Sequence, residues 1–159
     1  MRRPGGAPGD ERLAAPSRLV VDANVFIAAF LRSSTVRRLL TLSLVDFYVP
    51  EFLWEEIGPH LPELATRAGL SEVAASELVE LLESCVATIP AEALLPHWKR
   101  AAGAMRRVDP RDTAYVAAAL AVPCDGIWSD DRHLKAQRIV PCWTTEELVS
   151  ALRAAGVEL

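Results

Sequence analysis

Lysine is almost missing from this chain: Lys99 and Lys135 are the only two, and the other fifteen of its 17 basic residues are arginine. With a formal net charge of −4 and a pI near 5.4, adhesion to nucleic acid through the whole surface is disfavoured. A local basic rim, or a site whose acids a metal neutralises, stays open. Cysteine is scarce as well. Cys85, Cys124 and Cys142 are odd in number and have no CxxC spacing, which excludes a disulfide framework and fits reduced, buried thiols in a cytoplasm. The three histidines lie far apart and give no zinc pattern. No apolar run approaches the roughly 20 residues that span a bilayer. The N-terminal MRRPGGAPGDERLAAPS carries arginines but no apolar core, so it does not read as a secretory signal.

What remains is ordinary globular material, 51% hydrophobic and 24% charged over 159 residues, enough for one domain with one sizeable core. Residues 1–16 are rich in proline and glycine and are expected to be disordered; residues 17–159 are expected to form the domain. Strand and helix signals then alternate. Arg18 to Val21 reads as a strand and Asn24 to Leu31 as a helix, with a second helix capped by Ser33 or Ser34. Asp46 to Val49 is a strand stopped by Pro50, which starts a helix at Glu51. Ser71 caps a helix with Val73, Leu78, Leu81 and Leu82 on one side. Val86 to Ile89 is a strand, helices follow at about 91–104 and 111–121, and strands at 125–129 and 139–143 precede a helix capped by Thr144 or Thr145. This alternation predicts an α/β fold with a parallel sheet covered by helices on both faces. In such sheets ligands bind at the carboxyl ends of the strands.

That is where the informative acids fall. VVDANVF puts Asp22 and Asn24 at the inner end of the most apolar strand, where an unpaired carboxylate costs several kcal/mol. Asp22 either caps the following helix or meets a cation. In PEFLWEEI, helical spacing turns Glu55 to solvent and brings Glu56 to the edge of the apolar stripe of Phe52, Leu53, Trp54 and Ile57. In VDPRDTAYVAAAL, Asp109 before Pro110 fits a helix cap, which leaves Asp112 in the first turn. In GIWSDDRHL, Ser129, Asp130 and Asp131 follow a buried strand, with Ser129 as a cap being the plainer reading. Each acid alone has a structural explanation. Jointly they describe a like-charge cluster that needs cations, of the oxygen-rich kind suited to Mg²⁺ or Mn²⁺.

The segments VVDANVFIAAF, YVPEFLWEEI, VDPRDTAYVAAAL and GIWSDDRHL, in this order and spacing, resemble the PIN-domain family. The resemblance runs from Arg18 to the C-terminal helix. It implies a three-layer α/β/α PIN-like fold around a central parallel sheet, and a small metal-dependent nuclease, in many relatives a ribonuclease and the toxin of a toxin–antitoxin pair. It implies catalytic roles for Asp22, Glu56, Asp112 and Asp131. Asp22, Asp112 and Asp131 would hold one or two Mg²⁺ or Mn²⁺ ions, and Glu56 would position or deprotonate the attacking water. Asn24 and Ser129 would orient the ligands. Asp130 stands where the family more often has a small or amide residue and is the alternate fourth acid. Arg106, Arg107, Arg111 and Arg132, with His133, would supply phosphate contacts to RNA. A 5′-phosphate product, a cognate antitoxin and a homodimer are implied in the same way. Two other classes compete: a non-catalytic PIN-like module binding RNA or protein, and a phosphoryl-transfer or receiver domain using Asp22 as nucleophile. The latter needs a lysine near the strand ends, where neither Lys99 nor Lys135 is expected.

Overall fold

A computed structural model describes residues 14–31 and 34–159. Most of the segment expected to be disordered, residues 1–13, and the cap position 33 with the side chain at 34 lie outside the described residues. Residues 14–16 are described, and there Pro16 is buried and Ala15 packs on the core.

Five parallel strands form the sheet: β1 (Arg18–Val21), β2 (Asp46–Pro50), β3 (Val86–Ile89), β4 (Ile127–Trp128) and β5 (Cys142–Trp143), in the spatial order β3-β2-β1-β4-β5. β1 is central, and its Leu19, Val20 and Val21 have no exposed surface. Strands covered on both faces read as continuous apolar runs, which is what Leu19–Val21 is once the exposed Arg18 is passed. The chain reverses direction in the sheet next to β1, and the crevice beyond the carboxyl ends of β1 and β4 is the expected binding place.

Helix contacts fall into two groups. The first joins α1 (Ala23–Leu31) to α2 (Ser34–Thr41), α3 (Phe52–Ile57), α4 (Leu61–Ala68) and α5 (Glu72–Ser84). The second pairs α6 (Ala91–Met105) with α7 (Thr113–Ala121), which lies on β1, β2 and β4. Thr113 to Ala119 are all buried, and the run of alanines lets the backbone of α7 approach the sheet closely. The three layers of an α/β/α fold follow. After β4 come α8 (Arg132–Ala136) and α9 (Thr145–Ala154).

Several elements differ locally from the sequence reading, each for a physical reason. Pro50 continues β2 opposite Ile89 instead of ending it, and Glu51 does not cap its own helix. The Glu51 carboxylate accepts the Ala91 backbone N–H at 2.9 Å and so secures the start of α6. Gly58–His60 form a 3₁₀ turn, with Pro59 near its start, that divides α3 from α4. On α5 the inward positions are Ala75, Leu78, Val79 and Leu82, at helical spacing, whereas Val73 and Leu81 are exposed. β4 and β5 are shorter than 125–129 and 139–143 because Gly126 and Pro141 occupy their approach. Gly126 has φ +136° and a Cβ there would sit 2.3 Å from the Pro141 carbonyl oxygen, so only glycine fits. The cysteines are free and half-buried. No helix among the described residues is long and apolar enough to cross a membrane.

Candidate metal centre

Strand register brings the first two site residues together. Val21 pairs with Trp128, and the Asp22 N–H donates to the Trp128 carbonyl at 3.1 Å, so the residues that follow, Asp22 and Ser129, emerge side by side. The Ser129 hydroxyl donates to Asp22 Oδ2 at 2.7 Å, with both residues buried. The Asn24 backbone N–H also points at the Asp22 carboxylate, while the Asn24 side chain is exposed. Asp22 therefore does sit over the first turn of α1, yet two neutral donors are weak compensation for a carboxylate 2% exposed. Burial first, with smaller contributions from the charges of Asp131 and Glu56, raises its pKa from 3.8 to about 6.

Asp112 closes the 3₁₀ turn Pro110–Asp112 at the entrance to α7. Its Oδ2 is fully buried and has no hydrogen-bond partner among the described residues. Burial, followed by the charges of Asp22, Asp131, Asp109 and Glu56, raises its pKa to about 7. Asp22, Asp131 and Glu56 thus all lie within electrostatic reach of Asp112.

Ser129 is not the cap of α8. Asp131 is: its Oδ1 accepts the His133 N–H at 2.8 Å, while the Ser129 Oγ accepts the Asp131 N–H at 3.0 Å. Ser129 thus joins Asp131 to Asp22. Asp130 is exposed and faces the other way, its two oxygens accepting the Thr145 N–H and hydroxyl at 2.7 and 2.6 Å. It fastens β4 to the start of α9. Thr144 caps that helix in a reciprocal box with Glu147.

Glu56 is exposed on α3, but its Oε2 accepts the hydroxyl of Tyr115 at 2.8 Å. Tyr115 is buried and lies one helical turn beyond Asp112. Burial, then the Glu56 charge and hydrogen bond, push its phenol far above the ordinary range. Glu55 is exposed, as its helical phase predicted. Tyr115 was not singled out in the sequence; its only signal is the three-residue spacing from Asp112.

Asp109 caps the turn before α7 through the Arg111 N–H at 3.0 Å and pairs with the Arg111 guanidinium, which holds its pKa below the usual range. Its surroundings extend beyond a cap. One ligand atom from each of Asp109, Asp112 and His133 lies within 4.8 Å of the others, a spacing that suits a metal ion. Of the predicted ligands only Asp112 belongs to this group; Asp22 and Asp131 border it. The three histidines do lie apart, with no zinc pattern among them, but His133 meets two acids in space. Its neighbours Asp109 and Asp131 come from a different loop and from two residues back, a proximity that spacing among histidines does not reveal. Arg106, Arg107, Arg111 and Arg132 are all exposed, with Arg111 engaged by Asp109. Lys135 pairs with Glu147, and Lys99 is exposed on α6.

A family model for the PIN domain matches residues 20–153. The chain belongs to the PIN-domain family. No curated protein matches it. The match spans every acid described above, and PIN domains are generally metal-dependent nucleases. The donor set here fits a hard divalent cation: clustered carboxylate oxygens, two of them with raised pKa, and one buried oxygen without a partner.

Proposed function

We propose that this PIN domain is an Mg²⁺- or Mn²⁺-dependent endoribonuclease that hydrolyses phosphodiester bonds in single-stranded RNA. The observation that carries the proposal is the buried Oδ2 of Asp112, without a partner among the described residues, inside a cluster of acids at the carboxyl end of β1 and β4. Protein interiors seldom leave a carboxylate oxygen in that condition without a cation to receive it.

In this reading Asp22, Asp112 and Asp131 hold the ion. A divalent cation bound there would lower the pKa of water and offset charge that builds on the phosphoryl oxygens. Ser129 fixes the Asp22 carboxylate and, through its oxygen, the Asp131 backbone, so the two ligands keep a common orientation. Asn24 contributes its backbone N–H to the same end. Glu56, held by Tyr115, orients the attacking water and takes its proton. The exposed Arg106, Arg107, Arg111 and Arg132 contact the RNA backbone.

The family membership further supports a toxin role, with a cognate antitoxin and a homodimer as partners. Growth arrest on expression, relieved by the product of a small adjacent reading frame, is the expected behaviour. The chemistry itself is tested with labelled single-stranded RNA. Cleavage should need Mg²⁺ or Mn²⁺, stop with chelator, and leave a 5′-phosphate. RNA that is bound and left intact at saturating metal would instead identify a non-catalytic binding module.

A further inference from the structure

His133 is the second residue of α8, and its backbone N–H, donated to Asp131 Oδ1 at 2.8 Å, fixes where the ring starts. The ring turns its Nδ1 toward carboxylates, 3.4 Å from Asp131 Oδ1 and 3.8 Å from Asp109 Oδ2. Both separations exceed a normal N–H···O hydrogen bond, so the nitrogen faces acids without being committed to either. Across the same space lies Asp112, whose Oδ2 is buried and has no partner among the described residues. A nitrogen and several carboxylate oxygens that converge without bonding one another match what a shared cation requires. Asp109 is already gripped by Arg111 through both oxygens, at 3.2 and 3.1 Å. Asp112 and His133 are therefore the less committed members of the trio.

We propose that His133 supplies a nitrogen ligand to the metal centre at Asp112, making a mixed nitrogen and oxygen set that selects Mn²⁺ over Mg²⁺. The inference rests on the metal-dependent reading above and adds to it a ligand from outside the predicted acids. Mg²⁺ prefers oxygen and sheds water reluctantly, whereas imidazole suits the transition ions. One nitrogen in the shell therefore separates the two cations more than any further carboxylate would. The half-exposed position of His133, with 43% of its side chain accessible, means that replacing it disturbs little packing.

The test uses the full chain loaded with Mn²⁺ alone and reads ¹⁴N coupling by pulsed electron paramagnetic resonance. Wild type should show one directly bound imidazole nitrogen. His133→Gln should still hold Mn²⁺ but lose that coupling, and its preference for Mn²⁺ over Mg²⁺, measured by titration calorimetry, should fall roughly tenfold. Mn²⁺ held by wild type without nitrogen coupling overturns the inference and leaves the metal-dependent reading intact. Coupling that persists in His133→Gln assigns the signal to another nitrogen and also overturns it. A wild-type protein that takes up no Mn²⁺ overturns both.

Discussion

The hydroxyl of Tyr115 on α7 donates to Glu56 Oε2 on α3 at 2.8 Å, joining two helices from separate parts of the chain. Tyr115 is 1% exposed and Glu56 is exposed, so the bond anchors a mobile type of side chain to a rigid one. Asp112 begins the helix that carries Tyr115, so the acid of the candidate metal centre and the partner of Glu56 sit on one element.

Tyr115→Phe should therefore fold normally and lose RNA cleavage through kcat. A hydrogen bond to a charged group contributes about 1.5–3 kcal/mol, which corresponds to roughly ten- to hundredfold in rate if it is made in the transition state. In the Glu56→Gln background the further loss from Tyr115→Phe should nearly vanish, since the two act as one unit. Additive losses in that double-mutant cycle would mean that Tyr115 serves the fold and not Glu56.

Adjacent acids should separate by their partners. Asp131→Asn should abolish most cleavage with modest change in stability. Asp130→Ala should lower the melting temperature, because it frees the Thr145 N–H and hydroxyl at the start of α9, and should keep activity per folded molecule. Glu56→Gln should likewise cost far more activity than Glu55→Gln. Thermal melts run beside cleavage assays on the four variants decide these pairs, and an essential Asp130 would reverse the assignment.

The succession of strands along the chain and the location of Asp22 were legible because they depend on local pattern: an apolar Leu19–Val21 run, an acid at its end, and β-then-α alternation. The helical phase of PEFLWEEI likewise separates Glu55 from Glu56. What the sequence hid are relationships set by tertiary approach. Ser129 reads as a helix cap, yet register delivers it to Asp22 and leaves the capping to Asp131. His133 looks isolated because the other histidines are distant, while its real neighbours, Asp109 and Asp112, lie on another loop. On α5, counting Val73 and Leu81 as inward confuses hydrophobicity with phase; the stripe that touches the core starts two residues later.

Metal-free stability should fall as pH rises from about 4 to about 7. Asp22 and Asp112 have folded-state pKa values of about 6 and about 7 against 3.8 for ordinary aspartate, so between those limits the folded state holds more protons than the unfolded chain. The slope of unfolding free energy with pH is then negative, and it flattens above both folded values. Saturating Mg²⁺ or Mn²⁺ should reverse the trend, since the ionised acids bind it. Melts in chelator from pH 4.5 to 8.5 give the sign directly, and a metal-free protein that gains stability across that range would contradict the buried acid cluster.

Asp22→Asn tests the cap against the metal ligand at one position. The amide oxygen can still accept from Ser129 or from Asn24, so the helix start keeps a partner, but no buried charge is left. At pH 8, where wild-type Asp22 is ionised, the metal-free variant should melt at or above wild type. At pH 5, where wild-type Asp22 is mostly protonated, that advantage should disappear. Metal works the other way. At a hundredfold excess over its dissociation constant a divalent ion stabilises the folded form by about 2.7 kcal/mol, a melting shift of roughly 5 to 10 °C for a domain this size. Wild type should show that shift, Asp22→Asn only a small part of it, and the variant should cleave no RNA. A metal-free variant clearly less stable than wild type at both pH values would make Asp22 chiefly the cap of α1, with the cation held elsewhere.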